Sequence, residues 1–138
     1  MKYYVCSSRL NVHENGFLEI KVMDDKSIPA SDALISVSRI SYTGIYNESA
    51  EGLVLADFYT DNSGIIQLEL PVLNELVGSS HFYSAKISKE GYYDVYIFYI
   101  QTYPDITSSY DVYLTPITSG VEKFMFLFQP KVRRIHEH

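Results

Sequence analysis

The chain has 138 residues, of which 46% are hydrophobic and 20% are charged, and its formal net charge is -6 at pH 7. This length fits a single domain, and the combination of high apolar content with modest net charge excludes a disordered chain. Lys and Arg are too sparse for nucleic acid to be the main partner, and no apolar run reaches the ~18 residues of a membrane-spanning helix.

Apolar and polar residues alternate through most of the chain, which is typical of β-strands. In the first such segment, Leu18, Ile20 and Val22 form one face, while Glu19 and Lys21 lie on the other. The pattern recurs at short intervals and predicts strands at residues 16–23, 33–38, 53–60, 66–70, 82–88, 94–101 and 109–114. Seven short strands without a long helix predict an all-β, antiparallel β-sandwich of the immunoglobulin-like type.

Turn residues separate the predicted strands. Residues 61–64 read Asp-Asn-Ser-Gly, and because Asn and Gly tolerate positive φ, this sequence predicts a tight hairpin. Gly91 is expected to take a positive φ in the turn at residues 88–93. Residues 71–80 are too short a segment to decide between a loop and one helical turn.

The two ends of the chain extend this core. Residues 2–6 can add a strand, and residues 122–129 contain a Phe-Met-Phe-Leu-Phe run that is apolar on both faces. Such a run is either an extra strand of the same core or a surface covered by a partner. Beyond it, the basic tail is expected to be solvated. The sequence therefore predicts one domain over 1–138, with a core at 16–116 and an extra strand and basic tail at 117–138.

The order of these features resembles the carboxypeptidase regulatory-like (transthyretin-like) β-sandwich family. The resemblance is carried by GFLEIKV at 16–22, IPASDALISV at 28–37, TDNSG at 60–64 and KEGY at 89–92. The segments LPVL at 70–73 and DITSSYDVYLTP at 105–116 are similar to a subgroup found in clostridial peptidoglycan-binding and spore-cortex-hydrolase proteins. The resemblance implies a transthyretin-like sandwich that serves as a non-catalytic accessory module of envelope or spore proteins.

Candidate catalytic and metal-binding residues are few. His136 and His138 are spaced for a chelate but supply only two good ligands, and His81 after Ser79 and Ser80 has no assignable acid. Turn formation explains the clustered Asp residues better than a calcium site does, because their spacing matches no calcium loop. We therefore expect no catalytic residue, no metal and no cofactor, and we predict that the chain is not an enzyme.

Two functions remain from the sequence. The first is an interaction module with a scaffolding or assembly role, in which Phe124, Phe126 and Phe128 dock on a protein partner or on a second copy. The alternative is a carbohydrate-binding module for peptidoglycan, in which Tyr42, Tyr46 and Tyr59 stack on sugar rings. Since the start of the chain lacks the apolar core of a secretory signal, the expected location is the cytoplasm, and a spore compartment is also compatible.

Overall fold

β-Strands are the only regular elements in the part of the chain that the computed structural model describes, which comprises residues 3–5, 15–43, 49–73, 81–128 and 131–134. Their bounds, in chain order, are β1 Tyr3–Val5, β2 Asn15–Met23, β3 Leu34–Thr43, β4 Ser49–Tyr59, β5 Ile65–Pro71, β6 His81–Ser88, β7 Val95–Ile100, β8 Ile106–Tyr113, β9 Met125–Leu127 and β10 Lys131–Arg134. The strands form two sheets, so the predicted all-β sandwich is confirmed.

Each sheet has five strands. Sheet A has the order β1-β5-β2-β8-β10, and sheet B has the order β4-β3-β6-β7-β9. Five pairs among the described strands are antiparallel, and two of them, β3 with β4 and β6 with β7, join strands that follow each other in the chain. Three pairs are parallel, however: β1 with β5, β2 with β8 and β7 with β9. The sheets are therefore mixed rather than purely antiparallel, because the chain repeatedly crosses between them and re-enters beside a distant strand.

The core lies between the two sheets and follows the alternation seen in the sequence. In β2, Leu18, Ile20 and Val22 are fully buried, and Ile35 and Val37 meet them from β3. Side chains of the opposite parity face outward, which leaves each sheet with an outer face. Burying an aliphatic side chain stabilises the fold by about 2 kcal/mol, so this double layer of apolar residues supplies the main driving force for folding.

Several predicted boundaries differ from the observed ones. The third predicted strand begins earlier, at Ser49 rather than Leu53, because a hairpin with β3 extends it. Residues 131–134, expected as part of a solvated tail, form β10 and pair with β8. The extra strand predicted near the C-terminus is present as β9, and the one near the N-terminus as β1. Residues 74–80, where a helical turn was an alternative, lie outside the described residues. No helix that could cross a membrane occurs among the residues described.

Candidate functional site

The outer face of sheet B carries a continuous array of aromatic rings, hereafter the aromatic face. Each ring has a neighbour with a centroid separation between 4.7 and 6.5 Å. The array runs from β3 through β6 and β7 to β9, and its members are Tyr42, Phe82, Tyr96, Phe98, Tyr99, Phe124, Phe126 and Phe128. Four of them are about half exposed, namely Tyr99 at 53%, Phe124 at 53%, Phe126 at 49% and Phe128 at 54%.

Strand alternation at β9 explains how three Phe rings reach this face. Tyr96 of β7 lies opposite Phe126, and Ile97 lies opposite Leu127. Leu127 packs against the core, and therefore Phe126 and its neighbours at two-residue spacing point outward. β9 is thus an edge strand of sheet B, with Leu127 packed against the core and Phe126 on the open side.

A β-bulge in β7 adds one more ring to the aromatic face. Tyr83 pairs with Ile100 and Ala85 pairs with Ile97, so two residues of β7, Phe98 and Tyr99, stand opposite one residue of β6. Tyr99 has φ of 58°, in the left-handed region that a bulky side chain rarely adopts. The bulge allows consecutive residues, which would otherwise point to opposite faces, to join one aromatic array.

At its β3 end, the aromatic face carries two neighbouring phenol groups, hereafter the tyrosine pair. The hydroxyl oxygens of Tyr42 and Tyr99 are 3.3 Å apart. The Phe82 ring lies against both, with centroids 5.5 Å from Tyr42 and 4.7 Å from Tyr99. The hydrogen bond with Tyr99 raises the pKa of Tyr42 above its ordinary value, and desolvation adds to the shift. The Tyr42 hydroxyl therefore stays protonated at neutral pH.

The structure brings together some of the residues predicted as binding residues and separates others. Tyr42 shares the aromatic face with Phe124, Phe126 and Phe128. Tyr59 is also on sheet B, but it pairs with Leu34 whereas Tyr42 pairs with Ala50. That separation of eight residues along β3 amounts to roughly 27 Å, so Tyr59 and Tyr42 cannot share a small ligand. Tyr46 lies outside the described residues.

Four rings of the aromatic face were absent from the sequence prediction: Phe82, Tyr96, Phe98 and Tyr99. The two-residue spacing of Tyr96 and Phe98 in a predicted strand was a usable signal, because it places both rings on one face. Nothing in the local sequence marks the bulge at Tyr99, since the segment has no Gly.

Two shallow clefts lie at the other end of sheet B. One has a volume of about 360 Å³ and is lined by Asp32, Leu34, Tyr59, Ser88, Lys89, Glu90 and Asp94. The other has a volume of about 320 Å³ and is lined by Tyr92, Tyr93, Asp94, Ile117, Val121, Glu122 and Lys123. Lys89 of the first cleft donates to the Ser31 carbonyl, and Lys123 of the second lies 5.0 Å from the Tyr93 ring centroid, so these cationic groups already have partners. Neither cleft reaches the tyrosine pair.

The candidate catalytic and metal-binding residues from the sequence form no metal-binding group in the part of the chain that the structure describes. Within the described ranges, no three His, Cys, Asp or Glu side chains come close enough to hold a metal ion. His81 is described, and its Nδ1 lies 2.8 Å from the Ser41 hydroxyl. His13, His136, His138 and Cys6 lie outside the described residues, as do Ser79 and Ser80.

Comparisons with known proteins find a shared fold but no family. No protein-family model and no curated protein matches the sequence. Among solved structures, catechol 1,2-dioxygenase from Pseudomonas arvilla C-1 is similar over 86% of this chain and 57% of its own, with 14% identity and a TM-score of 0.57. 3-Chlorocatechol 1,2-dioxygenase from Rhodococcus opacus 1CP is similar over 83% of this chain and 65% of its own, with 13% identity and a TM-score of 0.54.

A third solved structure matches nearly end to end. It is the dioxygenase domain of a dioxygenase carbohydrate-binding protein fusion from Streptomyces sp. SirexAA-E, similar over 85% of this chain and 91% of that domain, with 12% identity and a TM-score of 0.53. The chain spans less than two thirds of the length of the two catechol dioxygenases. At these identities the likeness shows the fold alone.

These neighbours correct the function expected from the sequence. The non-catalytic accessory module, with peptidoglycan binding as its alternative, was expected from the family resemblance and the exposed aromatic residues, and the absence of enzyme activity from the lack of catalytic motifs. Those expectations are wrong as inferences from this sandwich, because the solved structures that share it include dioxygenases. Oxygen chemistry is carried by a metal or an organic cofactor. The described residues offer no group of His, Cys, Asp or Glu side chains that could hold a metal of that kind.

Proposed function

We propose that this chain binds a small aromatic diol of the catechol type at the tyrosine pair. The observation that carries the proposal is the placement of two phenol hydroxyls 3.3 Å apart at the edge of an aromatic array. The names of two structural neighbours, a catechol and a 3-chlorocatechol dioxygenase, support this class of ligand.

The chemistry of the tyrosine pair suits two adjacent hydroxyl groups. Each phenol hydroxyl is both a donor and an acceptor, so Tyr42 and Tyr99 can exchange hydrogen bonds with both oxygens of a catechol. The half-exposed rings of Tyr99 and Phe128, whose centroids are 6.2 Å apart at an interplanar angle of 22°, offer a surface for the aromatic body of the ligand. Hydroxyl recognition and ring contact together distinguish a diol from a phenol or an aliphatic compound.

Backbone strain at Tyr99 also supports a functional role for this end of the aromatic face. A left-handed φ for a bulky residue costs of order 1–3 kcal/mol, and such strain is found most often at functional sites. The ring that the bulge positions is 53% exposed, so core burial offsets little of that cost. A role of the Tyr99 ring in binding would account for the strain, because the strained backbone places that ring on the aromatic face.

Catechol titration into the isotope-labelled chain, followed by NMR, tests the proposal. Binding should shift the signals of Tyr42, Phe82 and Tyr99, and veratrole, whose oxygens are methylated and cannot donate, should bind more weakly. Removing one hydroxyl by Tyr42→Phe or Tyr99→Phe should weaken catechol binding by about 5–10-fold, since a net hydrogen bond contributes about 1 kcal/mol.

Tyr113→Phe is the matched control, because Tyr113 is 53% exposed, as Tyr99 is, but belongs to sheet A. Its catechol affinity should equal that of the unaltered chain. Absence of catechol binding, or equal losses in all three variants, would overturn the proposal.

The carboxypeptidase regulatory-like relationship, the spore or envelope setting and the cytoplasmic location stay predictions from the sequence. None of them is needed for the diol proposal, which depends on the tyrosine pair.

A further inference from the structure

The β9 side of the aromatic face has an open apolar surface, hereafter the Phe patch, formed by Tyr96, Phe98, Phe124, Phe126 and Phe128. Within it, Phe98 and Phe126 have centroids 5.5 Å apart, and Phe124 and Phe126 have centroids 4.8 Å apart. The patch is distinct from the tyrosine pair. Its three β9-side rings remain about half exposed, so their contacts with each other do not shield them from water.

The exposed rings supply about the apolar area of one side of a protein–protein interface. Four half-exposed rings, the three of the β9 side and Tyr99, present on the order of 400 Å² of aromatic surface. A standard interface buries about 800 Å² on each side, and somewhat more than half of that area is apolar. The exposed rings therefore supply about the apolar content of one such side.

The charges beside the Phe patch are balanced. Lys86 lies 5.8 Å from the Tyr96 ring centroid and 3.7 Å from Asp94, whose backbone carbonyl accepts a hydrogen bond from the Met125 amide. Glu122 and Lys123 precede Phe124 in the chain. Because this rim has two acidic and two basic side chains, it does not repel the same rim of a second copy. The net charge of the chain is -6, so contact between copies through an acidic surface would be unfavourable by comparison.

Recognition at this edge depends on side chains rather than on backbone pairing. β9 is the terminal strand of sheet B and has only three residues, too few for a long ladder with another strand. A partner must therefore present an apolar surface of similar size and a rim without excess charge. The Phe patch itself has these properties, and two identical patches related by a two-fold axis form a closed interface.

We propose that two copies of this chain associate face to face through the Phe patch. The proposal does not rest on diol binding, although the Tyr99 and Phe128 rings contribute to both surfaces; Phe126, which the diol proposal does not use, separates the two. In sedimentation or light-scattering measurements, the chain should shift from 15.8 kDa to twice that mass as its concentration rises through the micromolar range.

Substitution at the centre of the patch tests where the copies meet. Phe126→Ser and Phe128→Ser should each weaken self-association by about 10-fold or more, as loss of a central aromatic contact does in other interfaces. Phe126→Leu should restore most of the affinity, because it keeps an apolar side chain. Leu53→Ser and Val54→Ser, at 55% and 60% exposure on β4, are matched controls and should leave the dimer unchanged.

Thermal unfolding of each variant confirms that it remains folded before its mass is interpreted. A chain that stays at 15.8 kDa at high micromolar concentration would overturn the proposal. So would a mass that grows without limit, since a two-fold interface closes, and so would equal effects of the β9 and β4 substitutions. Catechol binding by Phe126→Ser should match that of the unaltered chain, which separates this proposal from the diol proposal.

Discussion

Two buried tyrosines show how the same hydroxyl group can stabilise or destabilise the fold. Tyr83 is 2% exposed, and its hydroxyl donates to the Pro71 carbonyl at 2.6 Å. Tyr110 is also 2% exposed, but its buried hydroxyl has no hydrogen-bond partner among the described residues. Burial raises the pKa of Tyr110 to about 12, and the neighbouring Tyr103 adds to the shift. An unpartnered buried polar group costs free energy, whereas a paired one contributes to stability.

Replacing each tyrosine by Phe should therefore have opposite effects. Tyr110→Phe should raise the free energy of unfolding by about 1 kcal/mol, because it removes an unpaired hydroxyl without creating a large cavity. Tyr83→Phe should lower it by about 1 kcal/mol, because the Pro71 carbonyl loses the Tyr83 donor, while the Thr102 hydroxyl still donates to it at 3.0 Å. Urea unfolding at neutral pH measures both, and destabilisation by both substitutions would contradict the assignment.

The pH dependence gives a second readout for Tyr110. Its native pKa, about 12, is higher than the ordinary value of 10.0, so the unfolded chain loses this proton first as the pH rises. The corresponding stability is fully present below pH 10 and is lost progressively as the pH approaches 12. The stability advantage of Tyr110→Phe over the unaltered chain should therefore be constant below pH 10 and grow as the pH rises from 10.0 to about 12, because only the unaltered chain loses stability there.

At the scale of single elements, the turn between β4 and β5 is fixed by its own residues. The Asp61 carboxylate accepts hydrogen bonds from the backbone amide and the hydroxyl of Ser63, which lowers the pKa of Asp61. Gly64 has φ of 71°, and a Cβ added there would lie 2.5 Å from the Val22 carbonyl oxygen. Side-chain capping and a glycine in close contact with β2 together set the start of β5.

Gly64→Ala should destabilise the fold by about 3 kcal/mol, since it combines a left-handed backbone with a clash against β2. Gly91→Ala measures the cost of the left-handed backbone alone, because Gly91 has φ of 87° and an added Cβ would meet nothing within 4 Å. Its cost should be about 1 kcal/mol. The urea midpoints of the two variants provide the comparison, and equal costs would argue against the close approach at Val22.

Local chemistry explains which elements could be predicted from the sequence. The turn at 61–64 and the positive φ of Gly91 are confirmed, because Asn, Ser and Gly encode these turns within a few residues. The predicted hairpin at 61–64 is wrong, however, because the turn joins β4 of sheet B to β5 of sheet A and the two strands do not pair. The bulge at Tyr99 follows from pairing between β6 and β7 and has no such signature. The aromatic face was therefore only partly predictable: its β9 rings follow from alternation, but the tyrosine pair depends on the bulge.

At the scale of the whole molecule, pairing between distant segments decides the topology. The central pair of sheet A joins β2 to β8, with Phe17 opposite Thr107, and this pairing is parallel. Alternation in each segment predicts a strand and its buried face, but it does not specify a neighbour so far along the chain. Because alternation identifies strands and their buried faces, the predicted sandwich is confirmed. Because it does not identify neighbours, the mixed sheets and the β10 pairing were not predicted.

The two sheets share one core, which makes the sandwich a single cooperative unit. Leu68 of sheet A and Ile87 of sheet B are both fully buried in the same apolar cluster. Leu68→Ala should cost about 3 kcal/mol, because it removes buried apolar contacts and leaves a cavity between the sheets. Hydrogen exchange should show the same loss of protection at the amides of Ile87 and of Ile20 in β2, since global unfolding exposes both.

Leu53→Ala provides the matched control for this measurement, because Leu53 is 55% exposed on β4 and its truncation removes little buried area. Amide protection in both sheets should then stay close to that of the unaltered chain. A loss confined to sheet A in Leu68→Ala would contradict the single unit and would mean that sheet B folds without its partner. Equal losses in both sheets would instead show that the aromatic face, although it lies on the outside of sheet B, depends for its stability on apolar residues of sheet A.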